Sequence, residues 1–140
     1  MRLDEVLRGS GWKNVEEIPA AVDLWATSPE GYRVLFEAKT LSGSNDVHQS
    51  RAAIAQLLEY RLFYADESDR LCVVFNGPIA DRRRVLLESL GIAILCIDEN
   101  GYLSAVGQVA QLWFGRTPLA GGLGPKTVLE MSAASAIASS

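Results

Sequence analysis

The sequence predicts an α/β fold in which helices flank a mixed central β-sheet. Apolar, strand-like runs such as LFEAK, LCVVF and IAILCI alternate along the chain with longer helical patterns. A strand, helix, strand, helix, strand series favours helices that pack on a sheet through right-handed crossovers. With 140 residues, 49% of them hydrophobic, the chain has the size and apolar content of one ordinary domain.

The first part of the chain predicts a short helix followed by a β-hairpin. Residues 1–9 have apolar residues at helical spacing and are followed by glycine. An extended stretch runs from Val15 to Thr27, with Pro19 as an interruption, and the turn signal at Ser28–Gly31 leads into the strand YRVLFEAK. The two strands should be antiparallel neighbours, which would bring Asp23 within side-chain reach of the end of the second strand.

The rest of the chain predicts alternating helices and buried strands. A polar loop, LSGSND, precedes a long helix from Val47 to Tyr64, and the helix from Pro78 to Leu90 lies between the strands LCVVF and IAILCI. Val106–Phe114 has a weaker helical pattern, and the sequence beyond it is rich in Gly, Pro, Ala and Ser. We therefore place one domain over residues 1–103 and a C-terminal extension, first helical and then flexible, over residues 104–140.

Composition excludes several classes of protein. No apolar run approaches the roughly 20 residues that cross a bilayer, so we expect a cytoplasmic protein without membrane contact. The two cysteines lie in apolar strand-like runs and there is one histidine, which disfavours a disulfide or a structural zinc site. A net charge of −4 disfavours binding of nucleic acid by bulk electrostatics, so any positive surface should be confined to one groove.

Three residues in the predicted hairpin suggest metal-dependent chemistry. Asp23 and Glu37 are carboxylates within apolar segments, where a charge is costly unless something compensates it, and hard oxygen ligands suit Mg²⁺ or Mn²⁺. Lys39 is two residues beyond Glu37, so both project from one face of the strand, and the carbonyl of Ala38 is a candidate for a further ligand. Taken alone, an E-x-K pattern is more often a solvent-facing pair on an ordinary strand.

The long helix supplies two further candidates. Gln56 and Tyr60 form a Q-x-x-x-Y pattern on one helical face, beside an apolar face that would pack on the sheet. Such a polar stripe suits a helix that lines a cleft. Without the hairpin residues, a Gln and a Tyr at the edge of a core explain the pattern better.

In order and together, Asp23, the hairpin, the E-A-K of residues 37–39 and the helix with QLLEY resemble the PD-(D/E)xK nuclease superfamily. The Q-x-x-x-Y helix is similar to that of its RecB-like branch. The resemblance covers about residues 1–97 and implies a restriction-endonuclease-like sandwich. The first motif departs from the family pattern, because Val22 stands where proline is usual.

The resemblance also implies roles for individual residues. Asp23 and Glu37 would bind divalent metal, Lys39 would assist the attacking water, and Gln56 and Tyr60 would lie beside the site. Many members carry an acidic residue on the first helix, for which Glu5 is the candidate, with Asp4 nearby.

Together with this resemblance, the patterns predict a Mg²⁺- or Mn²⁺-dependent nuclease that hydrolyses phosphodiester bonds in DNA, as an endo- or exonuclease. The resemblance alone implies a defence, repair or restriction context. Arg51 and Arg61 are candidates for phosphate contacts, although ordinary solvated arginines are equally consistent with the sequence. We expect a homodimer or a larger protein partner. The alternative is a non-catalytic nucleic-acid- or protein-binding module on the same fold, which divalent metal binding would discriminate.

Overall fold

The computed structural model describes residues 3–18 and 22–114. In chain order the elements are α1 (Leu3–Gly9), β1 (Lys13–Glu17), β2 (Leu24–Thr27), β3 (Arg33–Lys39), α2 (Asp46–Tyr64), β4 (Arg70–Phe75), α3 (Asp81–Ser89), β5 (Ile92–Ile97), β6 (Leu103–Val106) and α4 (Gly107–Phe114). Within these ranges, no helix combines the length and the hydropathy that a bilayer span requires.

The six strands form one mixed sheet in the order β1-β2-β3-β4-β5-β6. The pairs β1–β2 and β2–β3 are antiparallel, the pairs β3–β4 and β4–β5 are parallel, and β6 returns antiparallel to β5. Parallel neighbours need a crossover, and α2 and α3 supply the two that β3, β4 and β5 require. The predicted α/β fold with a mixed central sheet flanked by helices is confirmed.

Each face of the sheet is covered by two helices. Val6 and Leu7 of α1 and Phe114 of α4 pack on one face. Leu57 of α2 and Leu87 of α3 pack on the other. Because side chains of a strand alternate between the two faces, β3 contributes Val34 and Phe36 to the first core and Leu35 to the second.

The predicted hairpin is confirmed and sets the position of the carboxylates. β2 and β3 pair antiparallel with Leu24 opposite Phe36. In the turn, the Ser28 N–H donates to the carbonyl of Tyr32 at 2.8 Å, and the Tyr32 N–H donates to the Ser28 hydroxyl at 3.2 Å. Gly31 has a φ of 98°, a conformation that side chains disfavour. The turn therefore fixes the register that places Asp23 beside the end of β3.

Two features of the sheet differ from the sequence-based expectation. The extended stretch predicted from Val15 to Thr27 comprises two antiparallel strands, β1 and β2, with a register shift between Lys13 and Glu16. β6 was not predicted, because a four-residue LSAV strand carries little periodic signal.

The domain boundary predicted at residue 103 falls inside β6, and the packed core continues to Phe114. The predicted flexible tail beyond residue 114 lies outside the described residues.

The start of α4 is held by a carboxylate of α3. The Val109 N–H donates to Glu88 Oε2 at 3.0 Å, and Arg84 Nη1 donates to Glu88 Oε1 at 2.7 Å. A carboxylate at this position satisfies an unpaired amide in the first turn of a helix and interacts favourably with its dipole. Gly107, with a φ of 85°, leaves the necessary room, because a Cβ there would lie 2.4 Å from Glu88 Oε2.

Candidate active site

Asp23 and Glu37 are tied together by reciprocal hydrogen bonds where β2 begins and β3 ends. The Asp23 N–H donates both to the carbonyl of Phe36 at 3.1 Å and to Glu37 Oε1 at 3.1 Å. In return, the Ala38 N–H donates to Asp23 Oδ2 at 2.6 Å. Two carboxylates that are 14 residues apart in the chain are therefore held in adjacent positions by the backbone itself.

Lys39 completes the cluster on the face of β3 that α2 covers. Its Nζ lies 3.2 Å from Glu37 Oε2, and the two side chains are 16% and 4% exposed. Both side chains share the α2 side with Leu35, as the two-residue period of a strand requires. A solvent-facing Glu–Lys pair, the alternative that the sequence left open, does not describe these two residues.

The electrostatics of the cluster favour a cation. Burial raises the pKa of the Glu37 carboxyl, the neighbouring Asp23 carboxylate raises it further, and Lys39 opposes the shift without cancelling it. The two ionised carboxylates therefore repel each other, because only one ammonium group shares their site. A divalent cation beside Asp23 and Glu37 would compensate both charges.

The donor set fits Mg²⁺ or Mn²⁺. Both ions prefer oxygen ligands, and Mg²⁺ is commonly held by one or two carboxylates while retaining several waters. Asp23 and Glu37 supply two carboxylates, and the Ala38 carbonyl is the nearby neutral oxygen predicted as a further ligand. Among residues 3–18 and 22–114, no group of three or more His, Cys, Asp or Glu side chains is arranged to hold a metal ion. Water or substrate phosphate would have to fill the remaining positions.

A cavity of about 300 Å³ adjoins Asp23 on the α1 side of the sheet. It is lined by Leu3, Asp4, Glu17, Asp23, Leu24 and Ala38. Glu5, the residue predicted on the first helix, is exposed, whereas Asp4 is 8% exposed and accepts a bond from Arg8 at 3.0 Å. The structure therefore brings Asp4 to the cavity, together with Glu17, which the sequence did not single out.

Gln56 lies on the same side of the sheet as Glu37 and Lys39. The start of α2 is anchored to the end of β3 by Gln49, whose Nε2 donates to the carbonyl of Thr40 at 2.8 Å. Two turns further along, Gln56 is half-buried, and its Oε1 is a buried acceptor without a hydrogen-bond partner within the described ranges. An unsatisfied buried acceptor is costly, so this oxygen is a candidate for a contact made when substrate or water enters.

Tyr60 lies towards the other end of β3. It packs against the core beneath α2, and its ring lies tilted against that of Tyr64 with centroids 5.5 Å apart. The hydrogen bond from Arg33 to Asp69 is the main cause of the raised pKa of the Arg33 guanidinium, and the nearby Tyr60 contributes less. Arg33 and Lys39 stand at opposite ends of the strand, roughly 20 Å apart at ~3.3 Å per residue. The structure thus joins Asp23, Glu37 and Lys39 directly but places Tyr60 away from them.

The two predicted phosphate-binding arginines have different surroundings. Arg51 is exposed on the outward face of α2. Arg61 is half-buried, and its Nη1 donates to the carbonyl of Asp69 at 3.3 Å. Arg61 therefore fastens the end of α2 to the loop before β4.

Neither a family model nor a curated protein matches this chain. Among solved structures, the chain is similar to a repair endonuclease from Pyrococcus abyssi, with 20% identity over 59% of this chain and 36% of that chain and a TM-score of 0.44. It is also similar to EndoMS in an EndoMS–dsDNA complex, with 21% identity over 64% of this chain and 37% of that chain and a TM-score of 0.45. The match spans little more than a third of either protein and concerns the fold alone.

Proposed function

We propose that this chain is a divalent-metal-dependent nuclease that hydrolyses phosphodiester bonds in DNA, with Asp23, Glu37 and Lys39 as its centre. The main support for this proposal is the position of Glu37. Its carboxylate is 3% exposed and lies beside a second carboxylate and a lysine at the end of a strand. Their order and spacing, followed by the Gln56 helix, resemble the PD-(D/E)xK superfamily. A buried carboxylate beside a second carboxylate lowers the stability of a fold, so its presence here favours a functional role.

Asp23 and Glu37, with the carbonyl of Ala38, would hold Mg²⁺ or Mn²⁺. When bound, such an ion would offset the charge on the scissile phosphate and make a water more nucleophilic. Lys39 is fixed by Glu37 at 3.2 Å, which occupies one of its three donors and leaves two for orienting the attacking water. Holding that water in line with the phosphorus would lower the barrier to hydrolysis, because the reacting atoms are already oriented.

The neighbouring residues have supporting roles in the proposal. The Oε1 of Gln56 would accept a hydrogen bond from Lys39 or from the water that Lys39 orients. Asp4, rather than Glu5, would be the first-helix carboxylate that faces Asp23 across the cavity. Tyr60 would support the packing of α2 on β3 and so act on Gln56 indirectly.

The proposal is tested by cleavage of linear, circular and single-stranded DNA with Mg²⁺ or Mn²⁺, with EDTA as the metal-free control. We expect metal-dependent cleavage by the unmodified chain and at least a hundredfold slower cleavage by Glu37→Ala. Glu99→Ala, which removes an exposed glutamate in the turn after β5, is the matched control and should cleave normally. Equal activity of both variants would remove Glu37 from the reaction.

A non-catalytic binding module on the same fold is the second candidate. It is favoured by the net charge of −4 and because, among the described residues, no group of three or more acidic side chains is arranged to hold a metal ion. Titration calorimetry with Mn²⁺ separates the two functions, because a binding module has no need of metal at Asp23 and Glu37. Absence of both metal binding and cleavage would leave the binding module as the better account.

A further inference from the structure

The exposed positions of α2 are spaced symmetrically about Ala55, although the residues at paired positions differ. The exposed residues of this helix are Val47, His48, Arg51, Ala55, Glu59, Leu62, Phe63 and Tyr64. Arg51 and Glu59 stand four residues on either side of Ala55. His48 and Leu62 stand seven residues away, and Val47 and Phe63 stand eight residues away. At ~100° per residue, these six positions lie within about 80° of Ala55 and form one stripe, whereas Tyr64 lies on the opposite side of the helix.

Opposite charges at paired positions of this stripe allow it to bind a second copy of itself. When two such helices pack antiparallel with the twofold axis at Ala55, each residue lies at the level of the partner residue that is equally far beyond Ala55, and residues near the middle of the stripe face each other. Arg51 then faces a glutamate, Glu59, in two equivalent places. Val47 shares its level with the partner's Phe63 but lies on the other flank of the contact, and His48 lies opposite the partner's Leu62. The small side chain of Ala55 permits the 8–10 Å approach that closely packed helices adopt.

The exposed groups on this face have unmet interactions that the arrangement would satisfy. Leu62 and Phe63 are 75% and 66% exposed, an apolar area whose burial would stabilise a complex. In the part of the chain that the structure describes, neither Arg51 nor Glu59 is in an ion pair. Charge complementarity therefore selects a second copy of the chain, and the exposed apolar side chains add area to the contact.

We propose that this face of α2 is a homodimer interface in which two copies pack antiparallel about Ala55. This assigns Arg51 to the subunit interface rather than to DNA. The helix rises about 24 Å from Val47 to Phe63, and one helix pair buries less than the roughly 800 Å² per partner of a standard interface. The dimer should therefore be of modest, micromolar affinity.

The proposed dimer leaves both candidate active sites open. Gln49, in the first turns of α2, is bonded to Thr40 at the end of β3, so the site lies near the start of the helix. In an antiparallel pair the two helix starts lie at opposite ends of the contact. The two centres would therefore stay separate, and the dimer does not depend on the nuclease activity.

Sedimentation equilibrium of the whole chain, over roughly 1 to 300 µM, tests the interface by charge reversal. We expect a reversible monomer–dimer equilibrium. Arg51→Glu and Glu59→Arg should each weaken it by roughly tenfold or more, because each variant converts two attractive pairs into repulsive ones. The double variant carrying both changes should restore dimerisation. A chain that stays monomeric throughout, or a dimer that these variants leave unchanged, would overturn the proposal.

Cross-linking tests the position of the axis. Ala55→Cys places a thiol on the twofold axis, and mild oxidation should give a disulfide-linked dimer that forms at low protein concentration. Asn100→Cys, in the exposed turn after β5, is the control and should remain largely monomeric, while Cys72 and Cys96 are buried. Equal cross-linking of the two variants would contradict a contact centred on Ala55.

Discussion

Replacing Asp23 with Asn separates the electrostatic role of this residue from its structural one. The asparagine carbonyl oxygen can still accept the hydrogen bond from the Ala38 N–H, which Asp23 accepts at 2.6 Å. The hairpin register and the backbone bonds of Asp23 are unaffected. The substitution therefore removes one negative charge beside Glu37 and little else.

Without metal, Asp23→Asn should be slightly more stable than the unmodified chain. Two unit charges about 4 Å apart repel by about 1 kcal/mol in water and about 4 kcal/mol at an effective dielectric constant of 20. Because Asp23 is exposed while Glu37 is buried, solvent screening favours the lower figure. A gain of about 1 kcal/mol corresponds to a rise in Tm of about 4 °C for a domain of this size.

With metal the order should reverse. An ion present at ten times its dissociation constant stabilises the state that binds it by about 1.4 kcal/mol, which is a rise in Tm of about 6 °C. The unmodified chain should show this rise, and Asp23→Asn should not, because it lacks one of the two carboxylate ligands.

Calorimetric melting in EDTA and in Mn²⁺ measures both effects. Burial and Asp23 raise the pKa of Glu37. The free energy of unfolding therefore falls as the pH rises through the raised pKa and Glu37 ionises. The advantage of Asp23→Asn in EDTA should therefore shrink as the pH is lowered and Glu37 is protonated. Equal responses to Mn²⁺ in the two proteins would refute the assignment of Asp23 as a ligand.

Three further predictions concern other parts of the structure. Lys39→Ala should slow cleavage at least a hundredfold with an unchanged circular dichroism spectrum, whereas Lys13→Ala, at an exposed lysine, should cleave normally. Glu88→Ala should lower the free energy of unfolding by about 1.5 to 3 kcal/mol in urea titration, because the Val109 N–H loses its charged acceptor; no change would mean that water replaces it. Phe114→Ala, at a fully buried ring, should cost about 3 to 5 kcal/mol, and a much smaller loss would place α4 outside the cooperative core.

The sequence predicted the centre of the candidate site because that part depends on local geometry. A tight turn between two short strands fixes their register, and the register fixes which residues are opposite each other. Glu37 and Lys39 share a face because of the two-residue period of a strand. Both relations require only residues 22–39, so the proximity of Asp23, Glu37 and Lys39 could be predicted without a structure.

The parts that the sequence could not predict depend on packing between distant segments. Whether Asp4 or Glu5 faces the cavity is decided by the rotation of α1 on the sheet, and neighbouring helical positions point about 100° apart. Tyr60 follows Gln56 by one helical turn, but α2 runs antiparallel to β3, which takes Tyr60 towards Arg33. Glu17 joins the cavity only through the pairing of β1 with β2.

Metal-dependent hydrolysis at the Asp23–Glu37 pair can be measured by single-turnover cleavage of end-labelled DNA over a Mg²⁺ series. We expect a rate that rises with Mg²⁺ and saturates in the unmodified chain, and a loss of at least a hundredfold in both Asp23→Asn and Glu37→Gln. Cleavage that persists in EDTA, or a Mg²⁺ dependence that both variants retain, would contradict this expectation.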